Sequence, residues 1–214
     1  MEEFIVAELI LTGYEILTVL LPAFITIWAF RLQYSDKGLK ENRGHIICLM
    51  IFAVYMIGVF HFTGAGTIFD IWHYGMEFHE ERINLIPFSD PNIDYVGYGL
   101  NVVLFLPLGF LLPLAWPAFN KVRYALVSGM LISLLVEISQ LLNFRSTDID
   151  DLILNTAGAV LGFFLFRFCS FVMKRDKAVR EYGKWEIVVY VLAIFAGHFF
   201  LYNELGMAGL LYGF

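Results

Sequence analysis

The stretch 124-YALVSGMLISLLVEISQLLNFRSTDIDDLILNTAGAVLGFFLF-166 decides how this chain folds. Two apolar runs flank a polar hinge, Asn143 to Asp151. About 20 apolar residues in a helix rising 1.5 Å per residue cross a hydrocarbon core of about 30 Å, so the two runs read as a hairpin of membrane helices. Within the first run, Ser133, Glu137 and Gln140 recur at i, i+4 and i+7 and share one face. A buried carboxylate in a span costs at least about 2.5 kcal/mol, so that face must look into the bundle or a wet cleft. Glu137 is about five residues from the end of its run, about 8 Å below the surface.

The composition agrees with a bilayer as solvent. Of 214 residues, 59% are hydrophobic, 17% aromatic and 16% charged. A soluble domain of this size has too little interior to hide so much apolar surface. Six stretches qualify as spans: 9–30, 46–62, 100–116, 124–142, 152–171 and 187–202, the last continuing toward Phe214. No repeat or low-complexity tract divides the chain. The expectation is an all-α, polytopic integral membrane helical bundle of about six transmembrane helices, with residues 1–214 in a single domain. The two cysteines, Cys48 and Cys169, fall inside apolar runs and read as packing residues. No Lys or Arg precedes the first apolar run, so that run is expected to remain as a permanent span.

Positive charge sets the orientation. Twelve of the fourteen Lys and Arg residues lie in the first, third and fifth connections, and only Arg82 and Arg145 in the second and fourth. The basic connections are therefore expected in the cytoplasm, with both termini outside. The run 174–184 reads as a topology determinant on anionic lipid, and nucleic acid is not an expected partner. The same arrangement places Asp70, Glu77, Glu80, Glu81, Asp90, Asp94, Asp148, Asp150 and Asp151 outside, so a pI near 5.3 hides an acidic outer and a basic inner face. The long connection 63–99, with Trp72, Phe78, Ile86 and Phe88, is expected to lie on or dip into the membrane surface.

The opening of the fifth span supports two readings. Asp148 suits a helix N-cap, Asp150 and Asp151 suit the positive end of the helix dipole, and Thr147 with Asp150 could form a capping-box-like pair. One cap does not need three carboxylates, however, and Asp148 and Asp151 stand close in sequence to Glu137 as ligand-binding candidates. Asp151, Asn155, Gly158 and Gly162 share a stripe, and the GxxxG spacing lets a neighbouring helix approach closely. Arg145 could pair with these acids or hold a phosphate or carboxylate bidentately. Pro107 removes a helix hydrogen bond near mid-membrane and is expected to kink the third span beside Asn101. Glu15, a second intramembrane carboxylate, could line the same cleft. His79-Glu80-Glu81-Arg82-Ile83 lacks the second His of a zinc-protease helix, and His73 with Glu77 could share a face. No cofactor is expected; a hard cation such as Mg²⁺ or Ca²⁺ is the metal that Glu137, Asp148 and Asp151 would suit.

Four pieces in order carry a family resemblance: Ile83-Asn84-Leu85-Ile86-Pro87-Phe88, the run from Asn101 through Phe105, Pro107 and Gly109 to Pro113, Glu137-x-x-Gln140, and Arg145-x-x-Asp148-x-x-Asp151-x-x-x-Asn155-x-x-Gly158. Together they resemble the VanZ-like family of bacterial membrane proteins over about residues 46–172. The resemblance implies a bacterial plasma-membrane location and a role in low-level resistance to the lipid-tailed glycopeptide teicoplanin. It also implies a shared polar set, here Asn101, Glu137, Gln140, Arg145, Asp148, Asp151 and Asn155, taken as the candidate ligand-binding residues. No catalytic residue is assigned.

The functional expectation is a non-catalytic or weakly catalytic protein with an acidic cleft in the outer leaflet that binds membrane lipid, a lipoglycopeptide or a polyprenyl-linked cell-wall precursor. The alternative is an intramembrane hydrolase or transferase acting on a lipid-linked substrate, with Glu137 as general base and Arg145 stabilising negative charge. Ion-coupled transport is a third class.

Overall fold

A computed structural model describes residues 2–36, 43–75, 83–89, 94–143, 145–173, 183 and 185–212. The elements in order are α1 (Glu2–Asp36), α2 (Arg43–Thr63), α3 (Ile68–Tyr74), β1 (Ile83–Asn84), α4 (Tyr95–Ala115), α5 (Val122–Gln140), β2 (Thr147–Asp148), α6 (Ile149–Val172), α7 (Glu186–Leu201) and α8 (Glu204–Tyr212). The chain is an all-α membrane bundle, and the one piece of sheet among the described residues is the two-residue parallel pairing of β1 with β2. Leu17, Phe24, Val54, Leu100, Phe164 and Phe168 are exposed on the outside of the helices, the inverse of a soluble domain, as lipid-facing positions must be.

Among the described residues, five helices are individually long and apolar enough to cross a bilayer, and a bent pair makes up to a sixth span. The expected sixth, α7, has 16 residues and rises only about 24 Å. It reaches span length only with α8, across a bend of 41°. Breaking a helix in hydrocarbon frees backbone groups that need partners. Here the Tyr14 hydroxyl supplies them, donating to the Leu201 carbonyl and accepting from the Asn203 N–H at 3.1 Å, while Asn203 Oδ1 accepts from Gly206 N–H at 2.9 Å.

Helix ends are set by local chemistry. The Asp94 carboxylate accepts from the N–H groups of Val96 and Gly97 at 3.1 and 3.0 Å and starts α4. That helix continues through Pro107 and Pro113 and stops at Ala115, since Pro117 holds Trp116 in extended backbone. Asp148 is the N-cap of α6, accepting from Asp150 N–H at 2.9 Å. In α1, Pro22 has no N–H for the Thr18 carbonyl. Gly197 of α7 lies over that carbonyl and the proline ring, where a side chain could not fit.

Glycine also decides the tightest packing. A Cβ on Gly158 or Gly162 would strike the backbone of Val102 or Leu106, and one on Gly109 the backbone of Ala159. The GxxxG stripe of α6 is thus the seat of α4, and the matched order of these contacts makes α4 and α6 parallel. Helix α5 runs antiparallel to α6, with Gly129 against Thr156 and Ala159. Helices α1, α2 and α7 form the other half around Phe52, Met56, Trp116, Tyr190 and Ile194. At one end, His45 bridges the Ala115 carbonyl (3.0 Å) and the Glu186 carboxylate (2.5 Å), which also accepts from the Tyr34 hydroxyl. Arg43, Lys121 and Arg123 lie at that end. Of the residues weighed for topology and metals, Lys37, Lys40, the run 174–180, Lys184, Glu77 and 78–82, Asp90 and Pro91 lie outside the described residues.

Candidate functional site

At the opposite end, the hinge of the α5–α6 hairpin folds back on the face that carries Ser133, Glu137 and Gln140. All three are buried, and each contacts a different element. Ser133 Oγ accepts from Asn155 Nδ2 of α6 at 3.0 Å. Glu137 Oε2 accepts from the Asp148 N–H at 3.2 Å. Gln140 Nε2 donates to the Thr63 carbonyl at the end of α2 at 2.6 Å. Ser139 continues the pattern on the neighbouring face, its Oγ accepting from Gly66 N–H at 3.0 Å. The Thr147 hydroxyl donates to the Glu137 carbonyl at 3.3 Å, so it is turned toward α5 instead of forming the capping-box-like pair with Asp150.

The three acids at the start of α6 have different surroundings. Asp148 caps the helix and accepts from Asn84 Nδ2 at 3.2 Å across the β1–β2 pairing. Asp150 is 2% exposed and is held by the Phe88 N–H at 2.8 Å and by the Tyr98 hydroxyl. Asp151 accepts from Asn101 Nδ2 of α4. Asp150, read from sequence as a dipole partner and a capping-box-like partner of Thr147, is thus the clasp that fixes the 83–89 segment and the first turn of α4 to α6. Nothing local in the sequence marks that role, because Tyr98 lies 52 positions earlier.

A cavity of about 760 Å³ opens between α2, α4, α5 and α6, lined by Asn101, Glu137, Gln140, Arg145, Asp151 and Asn155 together with Phe62, Thr63, Leu100, Val103, Leu104 and Ser146. Asp148, the seventh candidate, does not line it. Gln140 and Asn155 use their amide N–H groups on Thr63 and Ser133, and their buried oxygens Oε1 and Oδ1 have no hydrogen-bond partner among the described residues. The two carboxylates, Glu137 and Asp151, make the wall of the cavity acidic. Arg145 is exposed, donates Nη1 to the Thr63 carbonyl at 2.8 Å, and forms no ion pair among the described residues. Its guanidinium lies against Gly64, whose φ of 62° is left-handed backbone suited to glycine. Phe62, Leu100 and Val103 form an apolar lip exposed on the outside of the bundle.

Glu15 does not line this cleft. Helix α1 packs on α2 and α7, which takes its carboxylate to His61 Nδ1 at 2.9 Å in a separate cavity. Among the described residues, no three His, Cys, Asp or Glu side chains are arranged to hold a metal ion. Neither Cys48 nor Cys169 is in a disulfide.

The family model for VanZ/LLP1 matches residues 46–170. The chain belongs to the VanZ/LLP1 family. It is 29% identical over 134 residues to Protein VanZ of Enterococcus faecium, an alignment covering 62% of this chain and 79% of that protein. No solved structure matches the chain. In VanZ/LLP1 terms the matched region runs from the start of α2 nearly to the end of α6 and holds every residue that lines the 760 Å³ cavity. Helices α1, α7 and α8 lie outside it.

Proposed function

We propose that the 760 Å³ cavity binds the polar head of an amphiphile from the outer leaflet, with the basic loops cytoplasmic and both termini outside. The observation that carries this reading is the pairing of a cavity lined by carboxylates and amides with an apolar lip exposed on the outside of the bundle. Hydroxyl and amide N–H groups of a head would meet Glu137, Gln140, Asp151 and Asn155. Arg145 and Ser146 would meet a phosphate or carboxylate, and the tail would leave past Phe62, Leu100 and Val103. A lipid-tailed glycopeptide such as teicoplanin or a polyprenyl-linked cell-wall precursor has this chemistry. Membership of the VanZ/LLP1 family supports a part in the glycopeptide response, by sequestering or masking one of these molecules.

The test is susceptibility to teicoplanin and vancomycin in cells carrying wild type, Glu137→Gln or Asp151→Asn at matched expression. Loss of teicoplanin protection in both variants, with vancomycin little changed, supports the reading. Unchanged protection in both removes the cavity from it. Orientation is tested by labelling Ser146→Cys with a membrane-impermeant maleimide in a background lacking Cys48 and Cys169. Labelling only after lysis would reverse the proposed topology.

The placement of Glu137 and Arg145 on one cavity also favours a second reading, an intramembrane hydrolase or transferase acting on a lipid-linked substrate. Turnover of a purified lipid precursor that disappears in Glu137→Gln would establish it over simple binding.

A further inference from the structure

Charges of both signs line the 760 Å³ cavity, and they do not pair. Glu137 of α5, Asp151 of α6 and Arg145 of the hinge all face it, with no ion pair between them among the described residues. Each is tethered separately. Glu137 is 4% exposed, its Oε2 takes the Asp148 N–H, and its Oε1 has no hydrogen-bond partner among the described residues. That oxygen is not sealed in like Oε1 of Gln140 or Oδ1 of Asn155, so the surface it keeps faces the cavity it lines. Asp151 repeats the pattern, with Oδ1 accepting from Asn101 Nδ2 and Oδ2 without a partner among the described residues. The Arg145 guanidinium donates to the Thr63 carbonyl and rests on Gly64, which holds it beyond ion-pairing distance of both acids. A carboxylate at membrane depth is costly without a counter-charge, and here the protein's own cation is kept from supplying one.

We propose, building on the amphiphile reading of this cavity, that the head it takes is a zwitterion. An ammonium meets Glu137 and Asp151, a phosphate or carboxylate on the same head meets Arg145, and the tail leaves past Phe62, Leu100 and Val103. The free carboxylate oxygens are acceptors, so the ammonium must carry N–H groups, which a quaternary one lacks. A head with only an anion would bring negative charge beside two uncompensated acids, and one with only a cation would leave the remaining Arg145 donors unused. A bare metal ion is not the counter-charge this wall suits, since no three acid, His or Cys side chains converge among the described residues. The zwitterion is either an aminophospholipid, with phosphate as the anion, or a lipid-tailed amino acid or peptide, with carboxylate as the anion.

The experiment titrates single-chain amphiphiles into the full chain in a neutral sugar detergent and reads the concentration that half-saturates the thermal shift. Lysophosphatidylethanolamine is compared with lysophosphatidylglycerol, which lacks the ammonium, and with lysophosphatidylcholine, whose ammonium has no N–H. O-palmitoylserine, with free amine and carboxylate, is compared with N-palmitoylserine, which keeps only the carboxylate. A preference of about tenfold for lysophosphatidylethanolamine over both analogues supports the proposal with a phospholipid as source. The same preference for O-palmitoylserine alone supports it with a lipid-tailed amino acid as source. Glu137→Gln and Asp151→Asn should each reduce the preference about tenfold, and Asp151→Asn covers the case in which the other variant fails to fold. Arg145→Gln should weaken zwitterion and anion alike and leave their ratio unchanged. The proposal is overturned if neither pair is discriminated, or if the discrimination survives both carboxylate substitutions. If undiscriminated binding still weakens in Arg145→Gln, the amphiphile cleft stands and only the zwitterion falls; if no cavity substitution changes the binding of any probe, both fall.

Discussion

The backbone N–H of Asp148 donates to the carboxylate of Glu137 at 3.2 Å, across the turn that joins α5 to α6. The acid that makes the first span of the hairpin expensive to bury is thereby an acceptor for the first capping residue of the next helix. Burial of the carboxylate and formation of the turn support one another.

This predicts a split between two substitutions. Glu137→Gln keeps an oxygen for the Asp148 N–H and should fold, whereas Glu137→Leu leaves that donor without a partner and should lose about 1–3 kcal/mol. Thermal unfolding of the purified proteins in detergent measures the difference. Equal stability of the two variants would show that the contact contributes nothing.

The parallel seating of α4 on α6 depends on missing side chains. Gly162→Val would drive a branched side chain into the Leu106 backbone and should cost about 1–3 kcal/mol or prevent assembly. Gly13→Ala, on an open stretch of α1 with nothing within 4 Å, should be neutral or slightly stabilising. The pair is compared by unfolding midpoint and by the monodisperse yield after extraction.

At the far end, Glu186 accepts from both Tyr34 and His45, tying α1, α2 and α7 together. Glu186→Ala removes the acceptor that Tyr34 and His45 share and should cost about 1–3 kcal/mol, and Glu186→Gln should recover part of that loss. Chemical denaturation of the three proteins orders them as wild type, Gln, Ala.

Tyr14 provides a test through dynamics. Removing its hydroxyl in Tyr14→Phe frees the Leu201 carbonyl and the Asn203 N–H at the α7–α8 bend. Amide hydrogen exchange at Asn203 should accelerate, with the rest of α7 little affected. Unchanged exchange at Asn203 would mean that the bend does not rely on this residue.

Much of the fold was legible because its causes are local. A 3.6-residue period put Ser133, Glu137 and Gln140 on one buried face, the cost of a charge in hydrocarbon turned that face inward, and the glycine spacing of α6 marked where a helix would lie. The N-cap at Asp148 was legible for the same reason. The length of α7 was harder to judge: hydrophobicity continues past Leu201, and only the backbone break at Tyr202 and Asn203, stitched by a hydroxyl from α1, divides one apolar run into two helices.

What the sequence by itself determined is which segments are helices, which faces are apolar, and that the α5–α6 hinge gathers polar groups at one end. Tertiary structure alone decided the partners: Asn101 with Asp151, Tyr98 with Asp150, and Glu15 with His61 in a cavity of its own. Helical periodicity sets the direction of a side chain about its own axis. Which helix stands in that direction is set by close packing between segments far apart in the chain, and no local pattern encodes it.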